Sequence, residues 1–163
     1  MKNIMICLEK MGIGGIETSV LNQAIEYKRR GINPIIVAAN GIYSDFLKEN
    51  DITFEEVDFP LENNVDSSKM KRIMEIIEKY EVEQVIINQL PCILSVMPAC
   101  IIKNIPYVAY VHTSFSTIKN DDNNMYNWYE RTYPIYQDLL KIYFQNAYKI
   151  VAISELAAEY VVN

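Results

Sequence analysis

The feature that most constrains what this chain can fold into is a glycine-rich turn, Gly12-Ile13-Gly14-Gly15-Ile16-Glu17. The continuous apolar run before it, Asn3–Leu8, is typical of a strand buried on both faces of a parallel sheet. After the turn, apolar residues recur at helical spacing until basic residues and Gly31 predict the end of the helix. Such a turn lets the backbone approach a ligand, and the helix N–H groups there attract phosphate, carboxylate or sugar hydroxyls.

Three glycines of this turn, Gly12, Gly14 and Gly15, are therefore candidate substrate-binding residues. The simpler interpretation is a tight turn that needs positive φ at Gly14 or Gly15. Three glycines between a strand and a helix favour the binding interpretation. Glu17 lies in the first helical turn, where a carboxylate gains ~0.3–1 kcal/mol from the helix dipole. For Glu17 the sequence leaves ligand binding and helix stabilisation equally open.

Strand and helix patterns alternate along almost the whole chain. The predicted strands are Asn3–Leu8, Pro34–Ala39, Ile52–Val57, Val85–Ile87, Pro106–Val111 and Lys149–Ile153. Helices are predicted after the glycine turn, at Ser44–Asn50, from Ser67 to Tyr80, at Cys92–Ile102, at Met125–Ala147 and after Ser154. This order predicts one α/β domain over residues 1–163, with a doubly wound, mostly parallel sheet and helices on both faces. Ligands of such sheets bind beyond the carboxyl ends of the strands.

The composition argues against several classes of protein. A net charge of −6 and a pI near 4.8 argue against a general nucleic-acid binder. Cys7, Cys92 and Cys100 lie in apolar segments and are best explained as buried free thiols in a reducing cytoplasm. The first strand follows Met1-Lys2 directly, and no apolar run approaches the roughly 20 residues of a membrane span. We therefore expect a cytoplasmic protein without a signal peptide or a transmembrane helix.

The segment from Thr113 to Tyr148 breaks the regular alternation. A polar loop, Lys119–Asn124, precedes a long aromatic helix, Met125–Ala147, that is expected to kink at Pro134. Its aromatic side chains could stack on a sugar acceptor or lie at a membrane surface. The simplest interpretation is the packed face of an ordinary crossover helix.

Two further residues follow strands on the ligand side of the predicted sheet. His112 is the single histidine and comes directly after the strand Pro106–Val111, which makes it the candidate catalytic residue. There it could donate or accept a hydrogen bond with a bound hydroxyl or with developing charge. Ser154 is most simply a helix N-cap, and a substrate contact is the alternative. Gln89-Leu90-Pro91, beyond the fourth strand, could also line the cleft.

A nicotinamide-dependent oxidoreductase is disfavoured, although such enzymes also open with strand, glycine turn and helix. Glu17 stands where the third glycine of G-x-G-x-x-G is needed. Asn40-Gly41 follows the second strand, where an acidic residue would hold the ribose. A single histidine and the absence of cysteine–histidine groupings also argue against a catalytic triad or a metal cluster.

Taken together, these motifs resemble the N-terminal domain of GT-B fold retaining glycosyltransferases of family 4 (glycosyl transferases group 1). The resemblance rests on the glycine turn, on the helix end Arg30-Gly31, on Val111-His112 and on Ile150–Glu155, and it extends over essentially the whole chain. It implies that the glycine loop approaches the donor diphosphate and the acceptor. It also implies that His112 contacts the donor sugar and that Ser154 precedes the helix leading to a second domain.

The resemblance implies hexose transfer from a nucleotide sugar to a saccharide or lipid-linked acceptor, as in surface polysaccharide synthesis, at the inner face of the membrane. No cofactor or metal is implied. The family's C-terminal domain, which binds most of the nucleotide sugar, is expected to lie outside these 163 residues. This chain alone is therefore expected to be inactive. The alternatives are a non-catalytic carbohydrate-binding or scaffold subunit and a GT-B fold nucleotide-sugar epimerase.

Overall fold

The structure is a computed structural model that describes residues 2–59, 66–112 and 135–162. Its strands are β1 (Asn3–Lys10), β2 (Asn33–Ala39), β3 (Thr53–Glu56), β4 (Gln84–Ile87), β5 (Tyr107–Val111) and β6 (Lys149–Ala152). Its helices are α1 (Gly15–Arg29), α2 (Ser44–Glu49), α3 (Ser67–Lys79), α4 (Leu90–Lys103), α5 (Ile135–Asn146) and α6 (Glu155–Val162). Strands and helices alternate in the predicted order throughout these ranges.

The strands form one sheet in the order β3-β2-β1-β4-β5-β6, and every neighbouring pair is parallel. The chain winds outward from β1 through β2 to β3, then returns to the other side of β1 and winds outward through β4, β5 and β6. The order therefore reverses between β1 and β4, and doubly wound sheets generally bind ligands beyond the carboxyl ends of the strands at such a reversal. The short, partly polar β3 occupies one edge of the sheet.

Alternate residues of the central strands enter two separate cores, because successive side chains of a strand point to opposite faces. Met5 and Cys7 of β1 pack with α3, α4 and α5 on one face. Ile4, Ile6 and Leu8 pack with α1 and α2 on the other. This arrangement confirms the doubly wound α/β fold with helices on both faces.

Most helix ends follow the signals in the sequence. Gly31 follows α1 in the left-handed region, with φ of 74°, as its position after basic residues predicts. Asp66 caps α3, because its Oδ1 accepts from the backbone N–H groups of Ser68 and Lys69 at 2.8 and 3.3 Å. Ser44 is the first residue of α2, and its Oγ accepts from the backbone N–H of Gly41 at 3.0 Å.

The helix α5 confirms the carboxyl-terminal part of the predicted aromatic helix, whose start at Met125 and kink at Pro134 lie outside the described residues. Tyr143 is buried and stacks on Tyr107 of β5, with ring centroids 5.4 Å apart. Its hydroxyl donates to the carbonyl of Ile87 at 3.1 Å. Tyr143 therefore belongs to the core. In the described parts of the chain, no helix has both the length and the apolar character that crossing a bilayer requires.

The three cysteines are buried and unpaired, as the sequence predicts. Burial raises the pKa of each thiol, that of Cys100 to about 12. Their thiols therefore stay protonated at neutral pH and pack as small apolar groups.

A buried carboxylate attaches the edge strand to α3. Glu55 of β3 is only 8% exposed, and its Oε1 lies 2.6 Å from Lys79 Nζ and accepts from the Tyr80 hydroxyl at 2.6 Å. Its Oε2 lies 2.7 Å from Arg72 Nη2. Burial alone would raise the pKa of Glu55, but the hydrogen bonds from Lys79 and Tyr80 and the charges of Lys79 and Arg72 lower it below its ordinary value.

We predict that Glu55→Gln lowers the free energy of unfolding at pH 7 by about 1–2 kcal/mol, because neutral hydrogen bonds are weaker than charged ones. The folded pKa is lowered, so this stabilisation is present above the unfolded pKa of about 4.3 and is lost as pH falls below it. Denaturant unfolding at several pH values measures the effect. Glu56→Gln, at the exposed neighbouring position, is the matched control. An equal loss in both variants, or a loss that is the same at pH 3, would contradict the prediction.

Candidate functional site

The candidate site lies on the carboxyl rim of the sheet, around the reversal between β1 and β4. Three connections meet there: the glycine turn after β1, Asn88-Gln89 after β4, and His112 after β5. One hydrogen bond joins the end of β1 to the connection after β4, because Gln89 Oε1 accepts from the backbone N–H of Glu9 at 2.7 Å. The sequence predicted the glycine turn, Gln89 and His112 at this rim.

The glycine turn has a different geometry from the tight turn considered above. Gly14 is the N-cap residue of α1 and is fully extended, with φ of 178° and ψ of 174°. Its carbonyl accepts from Thr18 through the backbone N–H at 3.1 Å and the hydroxyl at 2.9 Å. The prediction of positive φ at Gly14 or Gly15 is wrong: among the described glycines, the left-handed region is occupied by Gly31.

The glycines of the turn are not required by crowding from the backbone of neighbouring elements. A Cβ placed on Gly12 or Gly15 would meet no atom within 4 Å. On Gly14 its nearest neighbours would be atoms of the flexible carboxylate of Glu17, which lies over that residue. By contrast, a Cβ on Gly41 would overlap the backbone carbonyl of Met11 and lie 3.0 Å from the N atom of Gly12. Gly41 is thus the glycine that packing requires, whereas Gly12 and Gly15 keep the start of α1 open.

An open groove of about 380 Å³ runs between the ends of β1 and β2. It is lined by Lys10, Gly12, Ile13, Asn40, Gly41 and Ile42. Ile13 is 79% exposed and Ile42 is 66% exposed, so the groove has apolar walls at its mouth. Backbone amides, one amide side chain and one lysine supply its polar groups.

Two carboxylates give this rim a negative character. Glu17 lies in the first turn of α1, and Glu9 lies close to the end of β1. Burial raises the pKa of Glu9, and the charges of Glu17 and Asp58 raise it further, whereas Lys10 opposes them. Carboxylate oxygens accept hydrogen bonds from hydroxyl groups and repel phosphate. The turn is therefore better suited to binding sugar hydroxyls than to binding a phosphate group.

His112 is half-buried at the end of β5 and is held by a residue of the neighbouring strand connection. Its Nε2 lies 3.0 Å from Oδ1 of Asn88, which is itself 5% exposed. The ring also stacks on Tyr110, with centroids 5.9 Å apart. Burial lowers the pKa of His112, so the imidazole is neutral near pH 7. Sequence reasoning missed Asn88, although a polar residue directly after a buried strand was the available signal.

Ser154 acts as the N-cap of α6, as predicted. Its Oγ accepts from the backbone N–H of Ala157 at 3.1 Å, and its carbonyl accepts from the N–H of Ala158 at 3.0 Å. It is exposed and follows β6, the strand next to β5. The structure thus places every candidate residue on one rim. It joins His112 to Asn88, and the end of β1 to Gln89.

Several solved structures share this fold. HepE from Anabaena in complex with UDP-glucose matches with a TM-score of 0.72 and 14% identity, over 99% of this chain and 40% of that one. A glycosyltransferase from Rickettsia africae ESF-5 matches with a TM-score of 0.67 and 21% identity, over 99% and 39%. UDP-GlcNAc 2-epimerase from Methanocaldococcus jannaschii matches with a TM-score of 0.58 and 15% identity, over 99% and 42%.

The chain spans about two fifths of the length of each of these proteins. At such identities the likeness shows the fold alone, and the proteins that share the fold include a glycosyltransferase and an epimerase. No curated protein sequence matches the chain. The sequence model described as Glycosyltransferase Family 4, however, matches residues 13–163, which include most of the glycine turn, His112 and Ser154. The chain therefore belongs to glycosyltransferase family 4, and its fold is that of the N-terminal domain of GT-B glycosyltransferases.

Proposed function

We propose that this chain is the acceptor-side domain of a nucleotide-sugar-dependent glycosyltransferase. The complete enzyme would transfer a hexose to a saccharide or lipid-linked acceptor in surface polysaccharide synthesis. The observation that carries this proposal is the family match over residues 13–163. HepE, which shares the fold, is described in complex with UDP-glucose, and this supports a nucleotide-hexose donor.

The open turn at Gly12 and Gly15 supports a role in sugar binding. These residues leave room at the start of α1, and Glu17 and Glu9 offer acceptors for hydroxyl groups there. His112, on the same rim, would contact the donor sugar. Catalysis would depend on positioning and on stabilising the departing diphosphate, without a protein nucleophile or a resident metal. A C-terminal domain in cis would bind most of the nucleotide.

The groove between β1 and β2 supports an acceptor with an apolar portion. Ile13 and Ile42 at its mouth are exposed isoleucines beside polar backbone groups, a combination that suits a sugar attached to lipid. The proposed site of action is the cytoplasmic face of the membrane.

We predict that the 163-residue chain alone releases no UDP from UDP-glucose, whereas the protein that includes the downstream domain does so in the presence of a glycan acceptor. The reason is that one GT-B domain supplies only one wall of the cleft. Product analysis by mass spectrometry measures the reaction. Turnover by the chain alone would contradict the division of the site. A two-domain protein that only epimerises the donor, or that binds sugar without turnover, would overturn the transferase proposal.

Gly15→Val should lower kcat/KM of the two-domain enzyme at least tenfold and shift its melting temperature little, because a side chain there fills the open space that we assign to substrate. Gly41→Ala is the matched comparison: it should lower stability, because its Cβ overlaps the Met11 carbonyl. Steady-state kinetics and thermal melts are measured together. Normal kinetics in Gly15→Val would show that the turn only connects β1 to α1 and does not bind substrate.

His112→Ala should lower kcat of the two-domain enzyme by roughly a hundred- to a thousandfold, as for one lost transition-state hydrogen bond, while acceptor binding changes much less. A histidine needed only for packing behaves differently, because its loss lowers stability while the folded enzyme still turns over. Kinetics and unfolding are therefore measured on the same preparations. A destabilised but fully active variant would assign His112 to the core.

A further inference from the structure

Asn88 is a buried polar residue whose orientation is fixed by its neighbours. Its backbone N–H donates to the carbonyl of Cys7 at 3.1 Å, and its Nδ2 donates to the same oxygen at 3.2 Å. A carbonyl can only accept, so the side-chain atom that faces Cys7 must be the amide nitrogen. The amide oxygen, Oδ1, is therefore the atom turned towards His112.

The orientation of Asn88 determines where His112 carries its proton. Nε2 of His112 lies 3.0 Å from Oδ1, and an amide oxygen can only accept. Nε2 must therefore be the protonated nitrogen. A neutral imidazole has one N–H, so Nδ1 is left with a lone pair.

We propose that Asn88 is a positioning residue for His112, which it holds in the neutral Nε2–H tautomer so that Nδ1 accepts a hydrogen bond from a sugar hydroxyl. In this state Nδ1 carries no proton, so it cannot donate a hydrogen bond to the charge that develops on the leaving diphosphate. Stabilisation of that charge is therefore left to other groups. The identity of the ligand rests on the proposed function, whereas the tautomer is a property of this chain alone.

The surroundings of His112 in the described parts of the chain agree with a neutral ring. Burial is the cause of its lowered pKa, and no charged side chain among the described residues contributes to that shift. The face of the ring stacks on Tyr110, whose hydroxyl accepts from Nε2 of Gln23 on α1 at 2.9 Å. The imidazole is thus held by Asn88 at one nitrogen and by Tyr110 at one face.

Nitrogen-15 NMR of the labelled chain tests the tautomer without any ligand, because the sequence contains one histidine and its ring signals need no assignment. At neutral pH we expect protonation of Nε2 only. In Asn88→Leu the Nδ1–H form should become detectable, and circular dichroism reports whether the chain is folded. The Cys7 carbonyl keeps its backbone donor in this variant. An Nδ1–H ring in the unmodified chain would overturn the proposal.

Two further variants separate positioning from packing. Asn88→Asp keeps the acceptor and adds a charge, so Nε2–H should persist and the pKa of His112 should rise by about 1 to 3. Gln89→Leu removes the neighbouring amide, which contacts Glu9, and should leave the tautomer unchanged. If Gln89→Leu shifts the tautomer as much as Asn88→Leu, the effect is a general loosening of the rim, and the specific role of Asn88 is wrong.

Activity of the two-domain enzyme then tests what the tautomer is for. Asn88→Leu should lower kcat roughly ten- to a hundredfold, the range typical of groups that orient metal-bound imidazoles. Asn88→Asp should lose activity at pH 7 and regain it as pH rises through the raised pKa of His112. Unchanged kcat in Asn88→Leu, in an enzyme that does transfer sugar, would overturn the positioning role and leave the proposed function intact. Absence of transfer by the unmodified enzyme would instead overturn the proposed function, and the NMR result alone would then decide the tautomer.

Discussion

The parallel pairing of β1 with both β2 and β4 is the constraint on which the rest of this structure depends. It makes β1 the centre of the sheet, and the chain can continue only by winding outward on one side and then on the other. Both faces of β1 are buried over Ile4–Leu8 as a result, which explains the unbroken apolar run of these residues. The same pairing gathers the carboxyl ends of all six strands at one rim. The site is therefore a consequence of topology before any side chain contributes.

At this rim the hydrogen bonding of the sheet continues through side chains. Cys7 is paired with Ile87 in the sheet, and its carbonyl accepts twice from Asn88. Asn88 in turn contacts His112, which follows the next strand. The carbonyl of Ile87 accepts from the buried Tyr143 of α5. The position of the imidazole is thus fixed by residues of adjacent strands, and these strands are in turn packed against the core.

The elements of this fold follow from local patterns, but the contacts of its site do not. Apolar runs and helical spacing predict the strands and helices, and the signal at Gly31 depends only on its neighbours along the chain. The pairing of Asn88 with Cys7 joins residues 81 positions apart, and the crowding at Gly41 arises from the carbonyl of Met11, which follows β1. To predict either contact one must know the order of the strands in the sheet, and the periodicity of apolar residues does not give that order. For the same reason sequence inspection assigned positive φ to the wrong glycines: a glycine can be required for open space as well as for backbone conformation.

The charges at the glycine turn favour the binding of sugar hydroxyls over the binding of a diphosphate. The N-terminus of α1 favours an anion, but the carboxylate of Glu17 already lies in its first turn. The charge of Glu17 also raises the pKa of Glu9, which shows that a further negative charge is unfavourable here. A diphosphate bound at this turn would meet two carboxylates and, in the adjoining groove, Lys10. Sugar hydroxyls can donate hydrogen bonds to these carboxylates without electrostatic repulsion. Under the proposed function, the positive charge that stabilises the leaving group has to come from across the cleft. In that proposal the carboxylates and the acceptor nitrogen of His112 would bind the sugar from this side.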